Sequence, residues 1–490
     1  MITFQQWKER IAKMKDNVYF QGQLLRRDDP RLEDWGLNTI KATYDVAHDP
    51  EWAGIATATS HLSGQTINRF NHVMQSVEDL LLKQKMTRLE CHRVGGCIQR
   101  CMGIDAVNAA SIFTWEVDQA KGTEYHKNFL KYLKYFQDND VMATCAQTDV
   151  KGDRLKRPHQ QADPDMYLRI VEKKSDGIVV RGCKHCITTA PYAEEFIVVP
   201  TRVMTPEDKD YAVSFAIPAD WEGVSIIASV GGPHRRRRLD APISHNGWGH
   251  GQIVFDDVFV PWERVFLAGE HEFGGRAALL FALMHRHSYS GCKPAMSEVF
   301  LSAAAWAAHC NGLLKNATAR HKLAEFVFLA ELGYAGGIAA AYTAKKCGSG
   351  TMEPDVIYLN TARRLAGINI YHEYELLADL AGGLPAAMSS ELDYGDEKVG
   401  PFLQKYVIRN PEVSAEETER CFRMVEDVLC SEWAAKWGVA GLHGGGSPQM
   451  EVIAILSNYD MEQKLNLARY LGGMQPAPKP SSLDRQVNIP

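Results

Sequence analysis

Several things are missing from this sequence, and each absence removes a class of protein. No run of about 18 apolar residues occurs, so no transmembrane span and no membrane partner are expected. The opening stretch MITFQQWKERIAKMK has no apolar core of the kind a secretion signal needs, which makes the cytoplasm the expected location. In that reducing compartment the eleven cysteines are expected as thiols or metal ligands, not as a disulfide framework. There is no excess of positive charge. A net charge of −6 gives no general affinity for nucleic acid or an anionic surface. No GxGxxG opens a strand–helix unit, which sets a Rossmann site aside. The glycine-rich LHGGGSPQ (442–449) lacks the Lys-Ser/Thr of a P-loop, which sets nucleotide hydrolysis aside. No internal repeat is visible.

What is present is a chain of 490 residues with an ordinary globular balance, 45 % hydrophobic and 23 % charged. That length implies two or three domains. Residues 1–140 read mostly as helix; TINRFNHVMQSVEDLLLKQKMTRL (66–89) and NFLKYLKYFQDND carry apolar residues at three- and four-residue spacing. From 141 to 275 the texture is β. MYLRIVEKKSDGIVVRGC alternates around Asp176-Gly177, a hairpin signal, and EEFIVVPTRV, DYAVSFAIP, VSIIASV and GQIVFDDVFVP are further strands. From 276 to 490 long helical patterns return, including TERCFRMVEDVLCSEWAAKWG, and the Pro-rich tail PAPKPSSLDRQVNIP reads as an arm. The fold class is therefore α+β: helices, a β module, then a larger helical module.

Within that third region, HRHSYSGCK (285–293) places imidazole, phenol and thiol inside an apolar helical run. Buried there, each needs a partner or a job. His285 and Cys292 are two turns apart on one face, with Tyr289 between them, and Pro294 frees the carbonyl of Ser290 and kinks or ends the turn. Cys97 and Cys101, read as i and i+4 on a helix, make a second pair. Three thiolates and an imidazole suit zinc or an iron–sulfur cluster, although buried cysteines often only pack. AQTDVKGDR (146–154) and CITTA, with Thr188 and Thr189 at a strand end, offer donors for a flat heterocycle, or are ordinary strand and loop residues. In DLAGGLP the pair Gly382-Gly383 suits a helix C-cap or a phosphate approach. HRRRR (234–238) reads as a solvated loop or as a clamp for a phosphorylated substrate.

Taken in order, GQTINRF (64–70), CIQRCMGIDAVNA (97–109), YHKNFLKYLKY (125–135), TDVKGDR (148–154), LRIVEKKSDGIVVRG (168–182), DKDYAVSFA (208–216), HRHSYSGCK and HGGGSPQ (443–449) resemble the 4-hydroxyphenylacetate 3-hydroxylase family over nearly the whole chain, and within it the 4-hydroxybutyryl-CoA dehydratase branch. The resemblance implies an acyl-CoA dehydrogenase-like fold with an N-terminal α domain, a central β domain and a C-terminal helical bundle, assembled as a homotetramer. It implies FAD and a [4Fe–4S] cluster, with Cys97, Cys101, His285 and Cys292 as cluster ligands. It implies an acyl-CoA substrate dehydrated by a radical route, possible because transient oxidation makes an otherwise inert β-hydrogen acidic. An isomerase activity accompanies that reaction in the branch. His285, Tyr289 and Lys293 fall on family active-site positions. Thr188 falls near the flavin, Gln147, Thr148, Asp149 and Lys151 are expected at its edge, and Gly382 and Gly383 match a glycine pair that meets FAD from a neighbouring subunit. Two positions depart: His250 and Ala440 stand where the dehydratases carry glutamates. His250 retains a proton-moving group; Ala440 does not. A related acyl-CoA lyase or isomerase, or a flavin-dependent aromatic monooxygenase, is the alternative.

Overall fold

The computed structural model describes residues 1–32, 36 and 38–479, so the tail read as an arm lies, from residue 480 on, outside the described residues. The strands signalled by alternation form two sheets. One has six strands in the spatial order Gln23–Leu25, Val18–Phe20, Val224–Gly231, Trp248–Pro261, Gly177–Thr188, Arg169–Lys173. The other has four: Val265–Ala268, Val213–Pro218, Glu195–Val198, Ala143–Ala146. The Asp176-Gly177 turn joins antiparallel strands, closed by Lys174 N–H to Gly177 O at 2.8 Å. Two short strands from the helical N-terminal region add to the edge of the larger sheet, Val18 pairing in parallel with Ile226. The sheets enclose an apolar core that includes Ile178, Phe196, Phe215 and Phe255.

Around this core stand the helices. The stretch 66–89 is helical only from Val77; Thr66–Asn68 pairs with Thr57–Thr59 as a hairpin, Arg69–Asn71 is a 3-10 turn, and Ser76 caps the helix Val77–Val94. The apolar spacing of 66–74 is real, but Ile67, Phe70, Val73 and Met74 are buried from an irregular segment. Residues 418–438 form two helices, because Ser431 ends Ala415–Cys430 and caps Glu432–His443.

The 40-residue helix His271–Cys310 is the axis of the C-terminal region and runs straight through Pro294. An interior proline costs a helix about 3 kcal/mol, largely by orphaning a carbonyl. Here the carbonyl of Ser290 is taken by Gln84 Nε2 at 3.2 Å. Gln84 lies on Val77–Val94, which approaches closely because residue 291 is glycine: a Cβ there would lie 2.0 Å from Thr87 Oγ1 and 2.3 Å from Gln84 O. One further helix, Ala317–Tyr342, is long and apolar enough to cross a membrane by length and composition, and a third of its most apolar window is buried within the chain.

Candidate functional site

The close approach at Gly291 brings three helices together: Val77–Val94, Cys101–Lys121 and His271–Cys310. Cys97 is not on a helix. Gly95, at φ +65°, ends Val77–Val94, and Gln99, at φ +61°, turns the chain before Cys101 starts the next helix. The pair expected on one helical face is thus a loop cysteine and a helix-start cysteine. The two thiols nevertheless meet each other and the thiol of Cys292 electrostatically. The ligand atoms of Cys101, Asp105 and His285 lie within 4.8 Å of one another. Cys97, Cys101, Cys292 and His285 therefore converge, with Cys101 and Cys292 packed in an apolar cluster that includes Phe70, Ile98 and Ile104.

Burial dominates the electrostatics of these thiols. It pushes Cys97 up to about 12, reinforced by Cys292, and lifts Cys101 well above its ordinary value, reinforced by Asp105. A buried thiol stays protonated unless a cation replaces its proton. These two thiols, that of buried Cys292 and one imidazole form a donor set that fits zinc or an iron–sulfur cluster. A further thiol, Cys91, is fully buried and hydrogen-bonds with Cys292; nothing in its spacing marked it.

The imidazole of His285 is held on three sides. Its ring stacks on Phe281 at 5.9 Å and 5°. Its Nδ1 lies 2.9 Å from Asp105 Oδ2. Gly445, at φ +76°, brings the 444–446 loop so near that a Cβ there would stand 3.3 Å from His285 Cδ2. Tyr289 donates from its hydroxyl to Gly441 O at 2.8 Å, and Arg363 lies 4.3 Å above its ring. Burial raises the phenol above its ordinary value. The glycine loop is pinned by Arg286 Nε to Gly445 O at 3.0 Å and Arg363 Nε to Gly444 O at 2.9 Å. Fully buried Glu451 sits 3.4 Å from Arg363. Lys293 is buried with partners of its own: its ammonium ion-pairs with Glu373 and donates to Ser297 Oγ at 2.9 Å, both within the bundle core.

The residues expected at the flavin edge gather where the two sheets meet the long helix. Gln147 donates to Ala278 O at 3.0 Å. Thr148 O accepts from His185 N–H at 2.7 Å. Asp149 is occupied by Lys184 Nζ at 2.9 Å, Leu168 N–H at 3.0 Å and Thr201. Lys151 is held at φ +75°, its ammonium lowered by burial and by Arg154. Thr188 ends its strand directly opposite His250. Burial, with Lys436 and His185 nearby, takes His250 down to about 4. Gly382 caps its helix at φ +71°, and a Cβ on Gly382 or Gly383 would meet open space.

The arginine run is partly exposed, at His234, Arg237 and Arg238, and partly tied to carboxylates. His234 and Arg236 close on Asp427 at 2.9 and 2.7 Å, Arg238 on Glu419 at 2.5 Å, and the Arg237 N–H on Glu391. The run ties the β module to the helix Ala415–Cys430.

Comparison with known proteins bears on the whole chain. Residues 3–267 match the family described as 4-hydroxyphenylacetate 3-hydroxylase N terminal, and 275–473 its C terminal counterpart. The chain is 38 % identical to the 4-hydroxybutyryl-CoA dehydratase/vinylacetyl-CoA-Δ-isomerase of Clostridium aminobutyricum over 97 % of its own length and all of that protein's. It is 27 % identical to the oxygenase component of 4-hydroxyphenylacetate 3-monooxygenase from Thermus thermophilus, over 89 % of each chain. Among solved structures, the oxygen-tolerant archaeal 4-hydroxybutyryl-CoA dehydratase from N. maritimus superposes with a TM-score of 0.90 at 33 % identity, covering 97 % of this chain and 96 % of that one. A 4-hydroxyphenylacetate 3-monooxygenase oxygenase component complexed with FAD gives 0.85 at 25 %, covering 97 % and 100 %.

Proposed function

Since the chain belongs to the 4-hydroxyphenylacetate 3-hydroxylase family, we propose that it is a hydro-lyase of the 4-hydroxybutyryl-CoA dehydratase type. It would use FAD and a [4Fe–4S] cluster and carry an accompanying Δ-isomerase activity. The observation that carries this reading is the convergence of Cys97, Cys101, Cys292 and His285 in one buried site. In that reading these four hold the cluster, while Gln147, Thr148, Asp149, Lys151 and Thr188 border the flavin. The open space over Gly382 and Gly383 suits the approach of a cofactor from a neighbouring copy. Exposed Phe328, Leu332, Val439 and Leu456 on the C-terminal helices support the homotetramer. The three-part acyl-CoA dehydrogenase-like organisation, 1–140, 141–275 and 276–490, is part of the same proposal.

When bound, the flavin supplies reversible one-electron oxidation, and the cluster supplies Lewis acidity toward a leaving hydroxyl. The chain's own groups do the rest. His285, fixed by stacking and by Asp105, would hold the cluster and act as a base only when released from it. Tyr289 spends its proton on Gly441 O, which leaves its oxygen only acceptor capacity. His250 is neutral at pH 7 and stands opposite Thr188, where it would relay a proton through its neutral imidazole and not hold one. Ala440 supplies none, which makes a hydroxyacyl-CoA other than the 4-hydroxybutyryl thioester the substrate to test beside it.

Anaerobic purification followed by iron, acid-labile sulfide and zinc analysis tests the reading. About four irons and four sulfides per chain with a flavin band are expected, followed by water loss from 4-hydroxyacyl-CoA thioesters. Flavin without iron overturns the lyase and favours the monooxygenase.

A further inference from the structure

Asp105 sits one helical turn after Cys101, fully buried, and each of its oxygens is engaged. Oδ1 accepts from Lys83 Nζ at 2.5 Å and from Ser288 Oγ at 2.8 Å. Oδ2 faces His285 Nδ1 at 2.9 Å. Lys83 is itself fully buried and donates to Met284 O at 3.0 Å, so the cation is anchored to the long helix one residue before His285. A carboxylate accepts and does not donate, so the proton of the neutral imidazole belongs on Nδ1. The lone pair then belongs to Nε2. Lys83 cancels the charge of Asp105, which keeps a carboxylate in this apolar site without an unpaired buried ion.

We infer that Asp105, clamped by Lys83 and Ser288, is the positioning residue of His285: it fixes the tautomer and ring orientation so that Nε2 is the metal-facing donor. This rests on the reading of His285 as a cluster ligand. Its oxygens being committed, Asp105 acts through the imidazole and does not join the ligand set. Partners of this kind orient a metal-bound imidazole and enrich it in electron density, and their loss costs about 10–100-fold in metal affinity or activity.

The test compares wild-type protein with Asp105→Asn and the double variant Lys83→Met/Asp105→Asn, all labelled with 15N-histidine and purified anaerobically. The double variant removes both charges, so its fold carries no stranded buried cation if the single variant fails to accumulate. Iron per chain, the histidine nitrogen coupling in the resonance spectrum of the reduced cluster, and the cluster midpoint potential are read on each. The expected result is a retained fold, a weakened or heterogeneous nitrogen coupling, a potential shifted positive, and at least about 10-fold faster iron loss to a chelator, with Asp105→Glu restoring part of each. An iron-loaded variant with wild-type coupling and potential overturns the inference and leaves the lyase standing. Wild-type protein without iron overturns both.

Discussion

Two stretches of this chain are rich in ionisable side chains, five of five residues in 234–238 and six of nine in 285–293, and they use them in opposite ways. In 234–238 the guanidinium and imidazole groups close on Asp427, Glu426 and Glu419, matching charge with opposite charge. In 285–293, and in the loop and helix start that meet it, thiols are buried together with one imidazole beside them, and burial lifts those of Cys97 and Cys101. The first arrangement is complete as a folded chain. The second is a set of donors whose protons are costly to remove without a cation. Saturation of partners separates the two.

The largest expected break of this contrast is Cys101→Ala or Cys292→Ala. Each removes a donor and should abolish iron binding and lower dehydratase activity by at least about 100-fold, checked by iron per chain and turnover. Next comes Glu373→Gln, which strands buried Lys293 and should cost about 3–5 kcal/mol in chemical denaturation; a large loss of turnover with stability intact would instead place Lys293 in the chemistry. Arg236→Ala leaves Asp427 nearly buried with a weaker partner and should cost about 3 kcal/mol, with KM for acyl-CoA unchanged, whereas a phosphate clamp would raise KM. A smaller effect is expected at His250. Its folded value, about 4, lies below the ordinary 6.5. Above pH 6.5 both states are neutral and nothing is lost. Between pH 6.5 and 4 the unfolded chain takes a proton that the native site refuses, so stability falls, by at most about 1.4 kcal/mol per pH unit. His250→Gln should flatten that slope in melts across this window. The smallest effect belongs to Arg237→Ala, an exposed side chain, at under about 0.5 kcal/mol.

Much of the fold was legible because its signals are local. Alternation marked the strands that became Gly177–Thr188 and Trp248–Pro261, and Asp176-Gly177 marked the turn from Arg169–Lys173 into the first of them. The strands Val18–Phe20 and Gln23–Leu25 were not, since three residues carry no period and the first exists by pairing with the distant Val224–Gly231, the second by pairing with the first. Cys97 was misplaced on a helix although Gly95-Gly96 just before it is a stop signal. Asp105 carried a usable clue, a carboxylate one turn after a cysteine. Lys83, Cys91 and Arg363 carried none, because only the approach of distant helices gives them meaning. The arginine run misled because its carboxylate partners lie some 180 residues downstream.

The loop that holds Cys97 has one more contact. Gln99, between the two cysteines, donates from Nε2 to Gly247 O at 2.8 Å and accepts from Gly249 N–H at 3.2 Å through Oε1. Gly249 adjoins His250 and accepts the N–H of Thr189. A single amide thus indexes the thiol loop against the strand that faces Thr188, like a dowel between two machined parts. Tolerance between the imidazole–thiol centre and the sheet is set there, so a change of side-chain length at position 99 is felt as misalignment of one half of the site against the other.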